Sequence, residues 1–209
     1  MSEQSALPVF RLEETSSLPM RAQGILAQLP TIIDPENRDK IKDVELQVID
    51  VYFLEGQLTS ENITTLAESL ICDPVTECYS WRTLSPLDHN LLPQSRPELT
   101  LGRDMLMGRN PGKEVGVVEV ALWPGVTDNT ASELLRAAHR LGITALSAVA
   151  TGQRYVFQGL APGILHQVAR ALLVNHTIQR YALGEIQPEF IHPSMVSFNP
   201  EVIHLLDLD

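Results

Sequence analysis

One order of elements is written twice in this chain, and that repetition limits the folds open to it more than any single motif does. A constant offset from Leu58–Tyr79 to Leu160–Tyr181 brings Leu58 onto Leu160, Ala67 onto Ala169, Leu70 onto Leu172 and Tyr79 onto Tyr181. Asp73 and Glu77 fall on their amides, Asn175 and Gln179. Just upstream, an offset longer by one residue aligns Tyr52-Phe53-Leu54-Glu55-Gly56 with Tyr155-Val156-Phe157-Gln158-Gly159. Any two amphipathic helices share part of such a pattern. The weight lies in the whole order: aromatic strand, glycine, capped helix, then a strand carrying tyrosine.

The hydrophobic periodicity fills in each copy. In the first, Pro8–Leu12 reads as a strand, and Ala22, Ile25, Leu26 and Leu29 make a helical face that Pro30 should stop. Val44–Leu54 reads as a strand region ending at Gly56. A helix capped by Thr59 or Ser60 then presents Ile63, Leu66, Ala67, Leu70 and Ile71, and Val75–Trp81 closes the unit. In the second copy, Val117–Leu122 is a strand and Trp123-Pro124-Gly125 a turn. Thr130 and Glu133 have capping-box spacing, and Gly142 suits a helix C′ position. Strand candidates Ala145–Ala150 and Arg154–Gln158 precede Gly159. A helix burying Ile164, Leu165, Val168, Ala169, Leu172 and Leu173 follows, and Ile178–Leu183 is the last strand.

The expectation is an α+β fold of two repeated β-α-β-(β)-α-β units with antiparallel sheets, paired as a pseudo-dimer. Residues 8–81 form a degenerate first unit and residues 116–184 a second. Residues 82–115 are a linker punctuated by Pro86, Pro93, Pro97 and Pro111, and residues 185–209 a tail with Pro188, Pro193 and Pro200. The tail either docks onto a partner, leads into a further domain or folds back on its own body. A unit of ~70–80 residues has a marginal core. Two copies related by a pseudo-twofold axis can cover each other as a homodimer would.

Composition narrows the partners. A net charge of -11 over 209 residues disfavours nucleic acid and anionic membrane. No apolar run of ~18 residues and no N-terminal leader pattern is present, so a cytoplasmic setting is expected. Cys72 and Cys78 fit neither a zinc ribbon nor a redox motif, and Cys72 reads as a packing residue at a helix end. His89, His139, His166, His176, His192 and His204 show no ligand spacing. Gly108–Lys113 lacks both the length and the Ser/Thr of a phosphate loop. Arg96, Arg103, Arg109 and Lys113 form either a basic patch or a solvated loop. No nucleophile elbow or dinucleotide fingerprint occurs.

The most distinctive segment is Val118-Glu-Val-Ala-Leu-Trp-Pro-Gly-Val-Thr-Asp-Asn129. With the helix through Leu141-Gly142, the Gln153-Arg154-Tyr155 strand and Leu172–Tyr181, it resembles the small subunit of phosphoribosylformylglycinamidine synthase. The first half resembles a degenerate copy, matching at Val51–Thr59 and Asp73-Pro74-Val75 but lacking the Pro-Gly-Val-x-Asp turn at Glu14–Pro19. The double arrangement is similar to the N-terminal region of the fused, large form of that enzyme. The resemblance implies a place in purine biosynthesis as a non-catalytic component that bridges a synthetase and a glutaminase and supports ammonia transfer. It implies no catalytic residue, cofactor or metal in this chain, with ATP and magnesium held by the synthetase. Partner contacts are expected at Trp123, Pro124, Gly125, Val126, Asp128, Asn129, Gln153, Arg154 and Tyr155; a purely structural turn is the competing reading of these residues. A regulatory small-molecule-binding module is the alternative function, and an enzyme with a dispersed site ranks below both.

Overall fold

The computed structural model describes residues 7–41, 43–84 and 112–190. Among the described residues six strands form one antiparallel sheet: β1 (Val9–Ser16), β2 (Glu45–Gly56), β3 (Glu77–Leu84), β4 (Val115–Leu122), β5 (Leu146–Gln158) and β6 (Gln179–Leu183), in the order β3-β1-β2-β5-β4-β6. The fold is α+β. The strands expected in separate sheets are joined into this single one by the long ladder between β2 and β5.

Four helices cover one face: α1 (Met20–Ile32), α2 (Ser60–Leu66), α3 (Asn129–Arg140) and α4 (Pro162–Val168). The chain continues from α2 and α4 into one π-helical turn each, Ala67–Ile71 and Ala169–Leu173. Local chemistry explains most of the boundaries. The Thr59 side chain accepts from the Asn62 N–H and the Asn62 side chain accepts from the Thr59 N–H, a reciprocal cap. After α3, the Gly142 N–H donates to His139 O and the Ile143 N–H to Ala138 O, with Gly142 at φ +86. That is a Schellman closure, which favours a residue without Cβ.

Two expectations need correction. Pro30 does not stop α1, which runs on to Ile32. Proline there removes one hydrogen bond within the last turn. The rest of the last turn is held, with Thr31 Oγ1 donating to Gln28 O and the Ile33 N–H donating to Leu29 O. The two strand candidates around residues 145–158 are one strand, because β5 pairs on both sides, with β2 and with β4. Gly152 lies at its centre, where an added Cβ would stand 2.8 Å from Val120 O.

The helix layer is interlocked. The first helix of the N-terminal half, α1, sends Ala22 and Leu29, with Ile33 just after it, into a core made with Val118, Phe157 and Val168 of the other half. The first helix of the C-terminal half, α3, sends Leu134 and Ala138 into a core with Leu12, Ile63 and Leu66. Each half therefore completes the other's core. Separately expressed fragments of residues 7–84 and 112–190 should show no cooperative thermal transition by circular dichroism, and mixing them should restore one.

The face without helices is concave. Glu119 stands in a cross-sheet row with Arg154, Ile49 and Thr15, so Arg11 lies across three strand spacings and also further along β1. A flat sheet would hold the Cα atoms of Arg11 and Glu119 about 19 Å apart. Their side chains meet at 2.6 Å, which requires the sheet to twist and curl toward this face.

Candidate functional site

The residues singled out from sequence fall on separate surfaces. Trp123–Val126 forms the tip between β4 and α3. Val126 N–H donates to Trp123 O at 3.1 Å, Pro124 leads the turn and Gly125 has φ +87, the type II arrangement. The Trp123 N–H is anchored on Ile178 O at 2.9 Å while its indole stays 47% exposed beside exposed Ile178.

Behind the tip, Asp128 caps α3 in place of the expected Thr130. Its Oδ1 accepts from the Ala131 N–H at 2.9 Å. Its Oδ2 accepts from both the N–H (2.9 Å) and the hydroxyl (2.8 Å) of Thr151 in β5. One carboxylate thus starts the helix and pins it to the sheet. The expected Glu133 partner is occupied elsewhere, in an ion pair with Arg136. Replacing Asp128 by Ala should lower the unfolding free energy by about 2 kcal/mol in urea titrations. Asp128→Asn keeps one acceptor for the cap and should lose about 1 kcal/mol.

Gln153 and Tyr155 point to the helix-covered face, and Arg154 to the concave one. Tyr155 is buried at 5% exposure, its hydroxyl donating to Gln153 Oε1 at 2.6 Å, and Gln153 Nε2 donates to Asp50 at 3.2 Å. Arg154 donates to Glu119 at 2.9 Å. The nine candidates therefore include an exposed tip, a helix cap, part of a polar row and part of an ionic cluster.

The polar row was not anticipated from sequence. Glu14, Asp50 and Gln153 are consecutive cross-strand neighbours in β1, β2 and β5, facing the helices. Arg21 of α1 grips Asp50 with both Nη atoms. Glu14 is 6% exposed. Burial first, then the nearby charges of Glu77 and Asp50 and a hydrogen bond with Asp50, push its carboxyl up to about 7 against an opposing pull from Arg21. An acid whose folded pKa is raised stabilises the fold fully below its unfolded pKa, near 4.5, and that contribution is lost as pH rises through about 7. Thermal stability should fall between pH 5 and pH 8, by on the order of 2–3 kcal/mol. Glu14→Gln should flatten that slope in differential scanning calorimetry.

The same environment silences the nearby thiol. Burial, with Glu14 and Glu77, pushes Cys72 up to about 12, so it is not poised as a nucleophile. Tyr52 is raised to about 12 by burial, then by Asp50 and Glu14, and stays a neutral donor. Tyr52 floors a cleft of about 420 Å³ between α3 and the π-helical turn after α2, lined also by Leu70, Ile71, Asn129, Thr130 and Glu133.

The concave face holds the second unanticipated cluster. Glu119, 1% exposed, accepts from Arg11 at 2.6 and 3.1 Å, from Arg154 and from the Ile186 N–H at 2.8 Å. Arg11 is equally buried and also bonds Glu13 at 2.8 Å. The signal in the sequence was faint: single charged residues within strands of apolar character.

Each described histidine has a structural partner: His139 on Leu146 O, His166 on the Tyr181 hydroxyl and His176 on Arg170 O. Lys113 is held by Glu45 and Asp43 O. Arg96, Arg103, Arg109, His89, His192 and His204 lie outside the described residues, as do most of the linker and the tail beyond residue 190. Among the described residues no group of three His, Cys, Asp or Glu side chains is arranged to hold a metal. No described helix is long and apolar enough to cross a membrane. No known protein family matches the chain, and no curated protein matches it.

Proposed function

We propose that this chain is an assembly component of a glutamine-dependent amidotransferase-ligase of the phosphoribosylformylglycinamidine synthase type, built as an internal pseudo-dimer of residues 8–81 and 116–184. The resemblance of Val118–Asn129 to the family's small subunit supplies the functional class. The observation that carries the two-copy arrangement is the register of β2 on β5. The offset that aligns Tyr52 with Tyr155 takes Ile49 to Gly152, Val51 to Arg154 and Asp50 to Gln153. It exchanges the two ends of the regular ladder, Glu45–Gln158 and Glu55–Ala148, and leaves the middle pair, Asp50–Gln153, on itself. A twofold axis between two copies of one unit produces that relation, and it would pass between Asp50 and Gln153.

Matching turns support the same reading. In one half the Asp73 N–H donates to Glu77 and the Asp73 carboxylate accepts from the Val75 and Thr76 N–H groups. In the other the Asn175 N–H donates to Gln179 and its side-chain oxygen accepts from the Thr177 N–H. The tips correspond as well, with the Ser17 N–H on Thr76 O and the Trp123 N–H on Ile178 O.

In this reading the chain holds a synthetase and a glutaminase together in the cytoplasm and supports ammonia transfer. ATP, magnesium and the nucleophilic cysteine belong to those partners. The exposed Trp123 tip is the contact favoured by its geometry. Glutamine-dependent amidine formation by the separated synthetase and glutaminase should require addition of this chain. Trp123→Ala should weaken the complex by about tenfold without lowering the melting temperature. Unchanged activity without the chain, together with no complex in native mass spectrometry, would overturn the proposal.

The cleft floored by Tyr52 favours a second reading, a regulatory module binding a small molecule between the halves. A thermal-shift screen with amino acids and nucleotides separates the two, since a specific ligand raises the melting temperature by mass action.

A further inference from the structure

After β6 the chain turns back over the body. Gly184, at φ +111, takes it off the sheet, its N–H donating to Val117 O at 2.9 Å. Ile186 then packs among Ile49, Val51, Phe53 and Ala121 on the concave face, with Phe190 against the same cluster. The polar holds are all on the sheet. Glu119 accepts from the Ile186 N–H at 2.8 Å, and Glu185 accepts from Arg82 at 2.7 and 2.8 Å and from Arg154 at 3.3 Å. Arg180 donates to Gln187 O at 2.7 Å and pairs with Glu189 at 3.3 Å.

We infer that residues 184–190 are a strap latched on the concave face by this ionic cluster, able to open as a unit while the helix-covered face stays folded. The inference goes beyond the assembly reading and does not depend on it. Three physical points carry it. First, the strap's apolar hold is small: Ile186 is its one apolar side chain in the fully buried core, and Phe190 is only partly buried. Second, opening strands no buried charge. Glu119 loses the Ile186 N–H but keeps Arg11 and Arg154, so the penalty of leaving a buried ion without a partner does not arise. Third, the latch itself is reachable by solvent. Glu185 and Arg82 are 49% and 31% exposed, so dissolved salt competes with their pairing.

The strap responds to salt in preference to acid. Burial alone would raise the Glu185 carboxyl, but Arg82, Arg11 and Arg154 outweigh it and hold the group below its ordinary range. It therefore stays charged near neutral pH. The contrast with Glu14 on the opposite face is one of neighbours: arginines surround one carboxylate, and other acids crowd the other.

Hydrogen–deuterium exchange by mass spectrometry tests this on the full chain, comparing a peptide over 184–190 with peptides from β2 and α3. Glu185→Gln should speed exchange in 184–190 by about fivefold, the scale of a partly exposed ion pair, with the β2 and α3 peptides unchanged. Salt at 0.5 M should speed the same peptide in the natural chain and have little further effect in Glu185→Gln. Ile186→Ala, which removes the apolar anchor, should accelerate 184–190 with equal selectivity. Acceleration of all peptides together would mean that the segment is an inseparable part of the core, and no acceleration in either variant would mean that the cluster is not a latch. Either result overturns the inference.

Discussion

The antiparallel ladder between β2 and β5 joins halves that each lack a finished core. It runs from Glu45–Gln158 to Gly56–Leu146 and brings Asp50 beside Gln153 at its middle. Because α1 packs on residues of the C-terminal half and α3 on residues of the N-terminal half, this ladder decides which apolar faces meet. A slip of one residue would turn every side chain of β5 to the opposite face, setting Phe157 among the concave residues and Arg154 under the helices. The polar pair at the middle of the ladder, gripped by Arg21, opposes such a slip, since only the observed register gives Asp50 both partners.

On the concave face the energetics differ. Removing Arg11 and Glu119 from water costs more than a simple ion pair returns, and what offsets that cost is the number of partners. Glu119 accepts hydrogen bonds from two arginines and one backbone N–H, and Arg11 also lies over the Phe53 ring at 5.5 Å. The cluster therefore specifies curvature more than it adds stability. It draws β1 and β4 together across the sheet and gives the chain leaving β6 a polar anchor.

Much of the architecture could be read along the chain. Helix faces at i, i+3, i+4 and i+7 located α2, α3 and α4, Thr59 and Gly142 marked helix ends, and Tyr79 and Tyr181 fell in the strands β3 and β6. Errors arose where a local rule met a tertiary context. Pro30 reads as a stop but costs only one bond near a helix end. Ala145–Ala150 and Arg154–Gln158 read as two strands, yet β5 runs through both and is held in register on both edges. Thr130 and Glu133 had the right spacing for a cap, but Asp128 was better placed because Thr151 holds its second oxygen.

The tip at Trp123–Val126 was legible as a turn because Pro-Gly chemistry is local. The neighbours of Glu14 and Glu119 were not legible, because they come from strands far away in the sequence. By itself the sequence located most of the helices and strands, the cap at Thr59 and the helix end at Gly142, since these depend on periodicity and on residues a few positions apart. Only the tertiary structure decided that the strands would share one sheet, which clusters Gln153 and Arg154 would join, and that Glu14 and Glu185 would meet opposite electrostatic fates. The physical reason is that burial and pairing are properties of surroundings, and those surroundings exist only once distant strands have been brought side by side.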